Sequence, residues 1–80
     1  MNDSLDIKIV RSIADELRID ISQLTFETKP YDIVEWDSMK NILIFLLIEQ
    51  EFSPGITFNE YSSCENIGEL ISCIKVRSKK

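Results

Sequence analysis

The sequence predicts an all-α fold, a small four-helix bundle with a long loop between helices 1 and 2 and a short third helix. Three observations carry that expectation. Three stretches repeat apolar residues at the three-to-four spacing that lines one face of a helix. Nowhere do apolar and polar residues alternate over the length of an amphipathic strand. The chain has 80 residues, room for one hydrophobic core and one domain over residues 1–80, and a chain of that size buries only about 60 to 65% of its unfolded surface.

The first helix starts at Asp3 or Ser4, either of which can cap it, and runs to about Leu17. Leu5, Ile9, Val10, Ile13 and Leu17 make its single apolar face. Residues 18–37 then show little regular pattern over a length well beyond the roughly 2 to 8 residues usual between bundle helices. Ile21, Leu24, Phe26, Tyr31, Ile33, Val34 and Trp36 are the expected anchors of a packed loop crossing the bundle end, and Pro30 keeps Lys29 extended. A second helix runs from Ser38 to Phe52, closed by the breakers in "SPG". Its inward face is expected to be Ile44, Phe45, Ile48 and Phe52, with Asn41 and Ile42 beside it. Phe58 and Tyr61, three apart, predict one short turn of helix. The last helix begins at Asn66, paired with Glu69 in a capping-box-like spacing, and carries Ile67, Leu70, Ile71 and Ile74 on one stripe. Lys75 and Arg77 suit its C-terminal dipole, and the basic residues 75–80 are expected to fray.

Charge narrows the functions open to such a bundle. Nine basic residues face 14 acidic ones, a net charge of −5. Four of the basic residues lie in the last six positions, so residues 1–74 hold 5 basic against 14 acidic side chains, a net −9. A body this acidic repels phosphate backbones and anionic lipid, which argues against nucleic acid and membrane partners and favours basic protein surfaces. The chain has no His and two cysteines, Cys64 and Cys73, without CxxC spacing, so neither a zinc site nor a His-based catalytic pair is expected. Were residues 64–73 one helix, its rise would separate the two cysteines by about 13 Å, too far to bridge. Both read as small core or loop residues. "MNDSLDIKIV" lacks the apolar stretch of a signal peptide, and the cytoplasm is the expected compartment. The apolar run Ile42–Ile48 ends at Glu49 and Glu51, far short of the ~20 residues a membrane span needs.

The junction "WDSM", residues 36–39, offers the strongest chemistry. An Asp or Ser before an apolar-periodic run is an ordinary N-cap and needs no further function. If Asp37 is the cap, Ser38 becomes the first helical residue and its hydroxyl is left free beside unsatisfied backbone N–H groups, a favourable place for a phosphodiester. Taken with the helix, the long loop, a second helix closing in "EQEF", a short third helix and the final "NIGELISCI", this junction resembles that of a bacterial acyl carrier protein of the discrete, standalone kind. The resemblance covers essentially the whole chain. It implies that Ser38 carries a 4′-phosphopantetheine arm, transferred from coenzyme A by a phosphopantetheinyl transferase, that Asp37 is the motif acid, and that Met39 holds the usual Leu position. Glu35 and Trp36 depart from the Gly-containing residues common before the motif. It further implies a monomer that catalyses nothing and presents acyl thioesters to loading, condensing or transferring enzymes.

In that family the second helix meets partners, usually through carboxylates. Here its first half carries Lys40 and Asn41, and its acids, Glu49 and Glu51, sit at the far end. Seven successive apolar residues cover about two turns and cannot share one inward stripe. Leu43, Leu46 and Leu47 are therefore expected wholly or partly outside, either as ordinary boundary residues or, with Trp36, Met39 and Lys40, as a partner-binding patch beside Ser38. Trp36 reads first as packing that fixes the loop–helix junction, ahead of a direct contact to the arm or a partner. Two other functions stay open on sequence: a peptidyl or aminoacyl carrier of the same fold, and an unmodified helical interaction module.

Overall fold

The computed structural model describes residues 4–78. They form four helices in chain order, α1 (Ser4–Leu17), α2 (Ser38–Phe52), α3 (Phe58–Ser62) and α4 (Ile67–Ser78). No strand occurs among the described residues. The sequence-predicted all-α bundle is the fold observed; Asp3, one of the two cap candidates, lies outside the described residues.

Helix α1 buries Ile9, Val10, Ile13, Ala14 and Leu17, the face its periodicity dictates. It stops because Arg18 takes a left-handed φ of 60° and the Ile19 N–H donates back to the Ala14 carbonyl. A non-glycine residue in that conformation costs roughly 1–2 kcal/mol, which the satisfied helix end and the burial of Leu17 offset.

The long connection is ordered by local hydrogen bonds. Asp20 caps a 3₁₀ turn at Ile21–Gln23, Thr28 Oγ1 accepts the Thr25 N–H at 2.8 Å, and Asp32 accepts the Lys29 N–H ahead of a second 3₁₀ turn at Pro30–Asp32. Lys29 is extended before Pro30, as expected. A 3₁₀ turn has three residues per repeat, so every third side chain faces inward. That selects Ile21 and Leu24, then Pro30, Ile33 and Trp36, of which Leu24 and Trp36 are buried. Three expected anchors are therefore not anchors: Phe26 is exposed, Tyr31 is 81% exposed and Val34 94%. Tyr31 instead lies under the Lys29 ammonium, 5.9 Å from its ring centroid.

Helix α2 buries Ile44 and Ile48 and half-buries Phe45 and Phe52. Ile42, placed beside the inward face by sequence, is 47% exposed. At 100° per residue it falls with Met39, Leu43 and Leu46 on the outer side instead. Ser53 adopts the left-handed cap conformation that ends α2, at φ 47°. Thr57 and Glu60 form a reciprocal capping box that starts α3, and Asn66 Oδ1 accepts the Glu69 N–H at the start of α4. Glu69 reaches one residue further back than expected, to the Glu65 N–H.

Side-chain links tie the helices together. Lys40 Nζ on α2 reaches the Glu16 carbonyl and carboxylate on α1, while Ser12 on α1 donates to Glu51 on α2 at 2.7 Å. Lys75 pairs with Asp6, joining α4 to α1. Arg77 pairs with Glu60 and donates to the Gly55 carbonyl, joining α4 to α3 and its leading turn. The fraying expected over residues 75–80 thus gives way to helix through Ser78, because Lys75 and Arg77 have carboxylate partners; Lys79 and Lys80 lie outside the described residues. No helix among the described residues is long and apolar enough to cross a membrane.

The first turn of α4 depends on the long connection. Its Ile67 and Gly68 N–H groups, which a helix start leaves without intrahelical acceptors, donate to the Thr28 and Phe26 carbonyls at 3.0 and 2.7 Å. The approach is close enough that a Cβ on Gly68 would meet the Phe26 carbonyl oxygen at 3.0 Å. Gly68→Ala is therefore expected to lower unfolding free energy by about 1–3 kcal/mol, read as a lower urea midpoint at unchanged helicity. An unchanged midpoint would show that the contact yields without cost.

Candidate functional site at the start of α2

The residues before α2 are set by three successive commitments. The Trp36 N–H donates to the Ile33 carbonyl, turning the chain into the junction. Asp37 then takes an extended conformation and its Oδ1 accepts the Lys40 N–H at 2.9 Å, capping α2. Ser38 is consequently the first residue of α2 and is exposed. Its hydroxyl makes no hydrogen bond to any described residue, and the backbone N–H groups of Ser38 and Met39 have no acceptor among them. An exposed hydroxyl next to unpaired N–H groups fits a phosphodiester attached at that oxygen, because the helix start places partial positive charge there.

Two residues expected to face partners are committed to the fold. The Trp36 indole is only 6% exposed, and its Nε1–H donates to Asn41 Oδ1 at 3.0 Å. Its amphipathic ring closes the junction from inside, with its polar edge satisfied. Lys40 is half-buried against α1, its ammonium held by Glu16. Neither offers its polar atoms to a partner in this arrangement. Met39, Leu43 and Leu46 are exposed, with Leu46 at 54%, while Leu47 is half-buried on the side where Lys40 and Glu51 reach α1. Ile42 joins this outer group.

Asn41 and Tyr61 carry more of the site than sequence suggested. Asn41 Oδ1 accepts from both the Trp36 indole and the Tyr61 hydroxyl, the latter at 2.8 Å, and the Tyr61 hydroxyl also reaches the Asn41 carbonyl. One side chain thereby links the loop, α2 and α3. The signal was an Asn one turn after Ser38, on the flank of an inward face, where a polar group must find partners. What sequence could not supply was Tyr61, twenty positions away. Phe45, Phe58 and Tyr61 stack mutually at centroid distances of 5.2 to 5.7 Å, holding α3 on α2.

The two cysteines do not share one helix. The chain breaks helix between Ser63 and Asn66, so the one-helix spacing does not apply; both thiols are free, and Cys64 donates to the Glu60 carbonyl. Burial, then the neighbouring Cys73, pushes the Cys64 thiol up to about 11. No group of three or more His, Cys, Asp or Glu residues able to hold a metal ion occurs among the described residues.

Comparison with known proteins places this geometry. The chain is 24% identical over 76 residues to the acyl carrier protein MbtL of Mycobacterium sp. (strain MCS), covering 95% of this chain and 85% of that protein. It is 25% identical over 73 residues to an acyl carrier protein of Clostridium acetobutylicum, covering 91% and 95% of the two chains. The chain is thus similar to acyl carrier proteins over most of its length. A third relative, MbtL of Mycolicibacterium paratuberculosis, is 28% identical over 68 residues, 85% of this chain and 76% of its own. No protein-family model matches the chain, and no solved structure matches it.

Burial pushes the Tyr61 phenol well above its ordinary range, and the folded state therefore holds its proton more tightly than the unfolded chain does. That stabilisation is fully present below the ordinary tyrosine pKa of about 10 and is lost as pH rises above it. Cys64 adds a loss of the same sign between its ordinary 9.0 and about 11. The urea midpoint is expected to fall from pH 9 upward, and Tyr61→Phe to flatten the part above pH 10. A variant with the full wild-type slope there would exclude Tyr61 as its source.

Proposed function

We propose that this protein is an acyl carrier in which Ser38 bears a 4′-phosphopantetheine group, installed from coenzyme A by a phosphopantetheinyl transferase. When attached, that group supplies a thiol on which acyl intermediates are held as thioesters for partner biosynthetic enzymes. The observation that carries the reading is the Ser38 hydroxyl itself, exposed and without a partner at a capped helix start, in a chain aligned with acyl carrier proteins over most of its length. Asp37 holds the helix start open to a modifying enzyme by taking the Lys40 N–H and leaving those of Ser38 and Met39 unused. The carrier itself performs no catalysis, works as a monomer, and acts in the cytoplasm, on a fatty acid, polyketide or other specialised pathway.

Partners are engaged through the outer side of α2. Its two carboxylates lie at the far end and each has one oxygen engaged within the fold, Glu49 accepting the Ile56 N–H and Glu51 the Ser12 hydroxyl. Lys40 is likewise held by Glu16. What remains outward beside Ser38 is Met39, Ile42, Leu43 and Leu46, an apolar stripe suited to a partner's apolar groove.

Two measurements test these assignments. Incubation with coenzyme A and a broad-specificity phosphopantetheinyl transferase is expected to raise the intact mass by one phosphopantetheine, and Ser38→Ala to abolish the gain. An unmodified wild-type protein would leave Asp37-Ser38 as a helix cap alone. For the stripe, Leu46→Glu is expected to leave helicity unchanged and to slow acyl transfer to the partner enzyme roughly 5- to 30-fold, the scale of 1–2 kcal/mol for an interface anchor. Transfer at the wild-type rate would remove Leu46 from the docking surface.

A further inference from the structure

Helix α1 uses its two flanks differently. Ser12 and Glu16 turn toward α2, where they meet Glu51 and Lys40. Ile7 precedes Glu16 by nine positions, and at roughly 100° per residue the two side chains point about 180° apart. The flank that carries Ile7 therefore looks away from α2, and it borders a groove shared with the long connection and α4.

Two adjoining hollows make up that groove. The first, about 320 Å³, is walled by Ile7, Val10, Ile21, Leu24 and Phe26. The second, about 570 Å³, follows the start of α4 and carries Glu27, Glu69 and Lys75. Asp6 and Phe26 line both. A single exposed apolar side chain is ordinary, but here Ile7 and Phe26, 40% and 45% exposed, border the same hollow. The Phe26 backbone is also pinned, its carbonyl accepting the Gly68 N–H. A ring held in place at a rim loses little freedom when a partner packs on it.

Charge selects the partner. Asp6 Oδ1 is buried 3.0 Å from Lys75 Nζ, so those two charges offset each other in the groove wall. Glu27 and Glu69 stand exposed at its edge. The Glu27 carboxylate has no partner among the described residues, and Glu69 gives one oxygen to the Glu65 N–H. Three carboxylates against one ammonium leave the groove a net −2, with an apolar hollow beside the charge. An acidic or purely apolar occupant would desolvate Glu27 and Glu69 without pairing them.

We propose that this groove docks a cationic amphipathic segment of a partner protein, its apolar side chains against Ile7 and Phe26 and a Lys or Arg between Glu27 and Glu69. The surface is separate from the outer side of α2, so a partner held there leaves Ser38 accessible. Its occupation does not depend on modification of Ser38.

The test titrates the full chain with two synthetic peptides about four helical turns long, each with Leu on one face and either Lys or Glu on the other, followed by methyl and amide NMR. Affinities are read from groove signals alone, so that binding at α2 does not enter. The Lys peptide is expected to shift the Ile7 and Ile21 methyl and Phe26 amide signals saturably, and the Glu peptide to leave them in place. Phe26→Ser is expected to weaken the Lys peptide at least about fivefold. Glu27→Lys changes an exposed side chain without a partner, keeps the fold, and is expected to weaken binding about two- to fivefold, the scale of one exposed ion pair. Groove signals unmoved by the Lys peptide, equal shifts from the Glu peptide, shifts at Met39 and Leu46 in place of those in the groove, or wild-type affinity in Glu27→Lys would each overturn the proposal.

Discussion

Burying the Trp36 indole obliges its N–H to find an acceptor, and much of this small bundle is arranged around that requirement. An unpaired indole N–H inside the protein would cost about 1–3 kcal/mol, a sizeable share of what a chain of 80 residues can have in reserve. Asn41 meets the need from the second turn of α2. Once its Oδ1 is committed to Trp36, the same atom is in place for the Tyr61 hydroxyl, and α3 is drawn onto α2 beside the stacked Phe45 and Phe58 rings. The position of Ser38 follows from both ends. Trp36 anchors the residue two before it and Asn41 the residue three after it, so the serine is held outward by neighbours that face inward.

A second constraint is the shortage of polar side chains on α2. Every charged residue of that helix has a task within the fold: Lys40 and Glu51 define the antiparallel register of α2 against α1, and Glu49 secures the turn before α3 through the Ile56 N–H. A longer chain could leave such links to other elements and keep its surface charges free. Here the charges that build the bundle are the ones that would otherwise have faced a partner. The apolar outer stripe is in this sense the complement of a fold that has used its ionic groups internally.

The helices were legible because their apolar spacing is long and regular. Ile9, Ile13 and Leu17, or Ile67, Leu70, Ile71 and Ile74, repeat often enough for one face to emerge, and the caps Asp37 and Asn66 stand where sequence put them. The long connection was not legible, since its inward period is three and lasts for only two or three repeats. Phe26, Tyr31 and Val34 satisfied hydrophobicity as anchors and failed on register. At the site, Asp37 and Ser38 could be read from neighbours one or two positions away, whereas the fates of Trp36 and Lys40 depended on Asn41 and Glu16. Hydrophobicity and charge type name candidates; the direction of a side chain depends on partners that sequence distance hides.

The division between long-range and short-range recognition follows from the same facts. A net charge of −5 creates a field that reaches about a Debye length, ~8 Å at physiological ionic strength, and draws basic surfaces toward the molecule whatever its internal pairings. Internal ion pairs alter that field little at a distance, because they contribute as dipoles. Close to α2 they matter at Lys40, whose ammonium is already paired with Glu16, while Glu49 and Glu51 each have one oxygen engaged by a neutral donor at the far end of the helix. On the proposed docking role of α2, electrostatics would set how often a partner arrives and Met39, Ile42, Leu43 and Leu46 how long it stays. On the proposed carrier function, a contact small enough to release and apolar enough to be specific is what the outer side of this helix would offer beside Ser38.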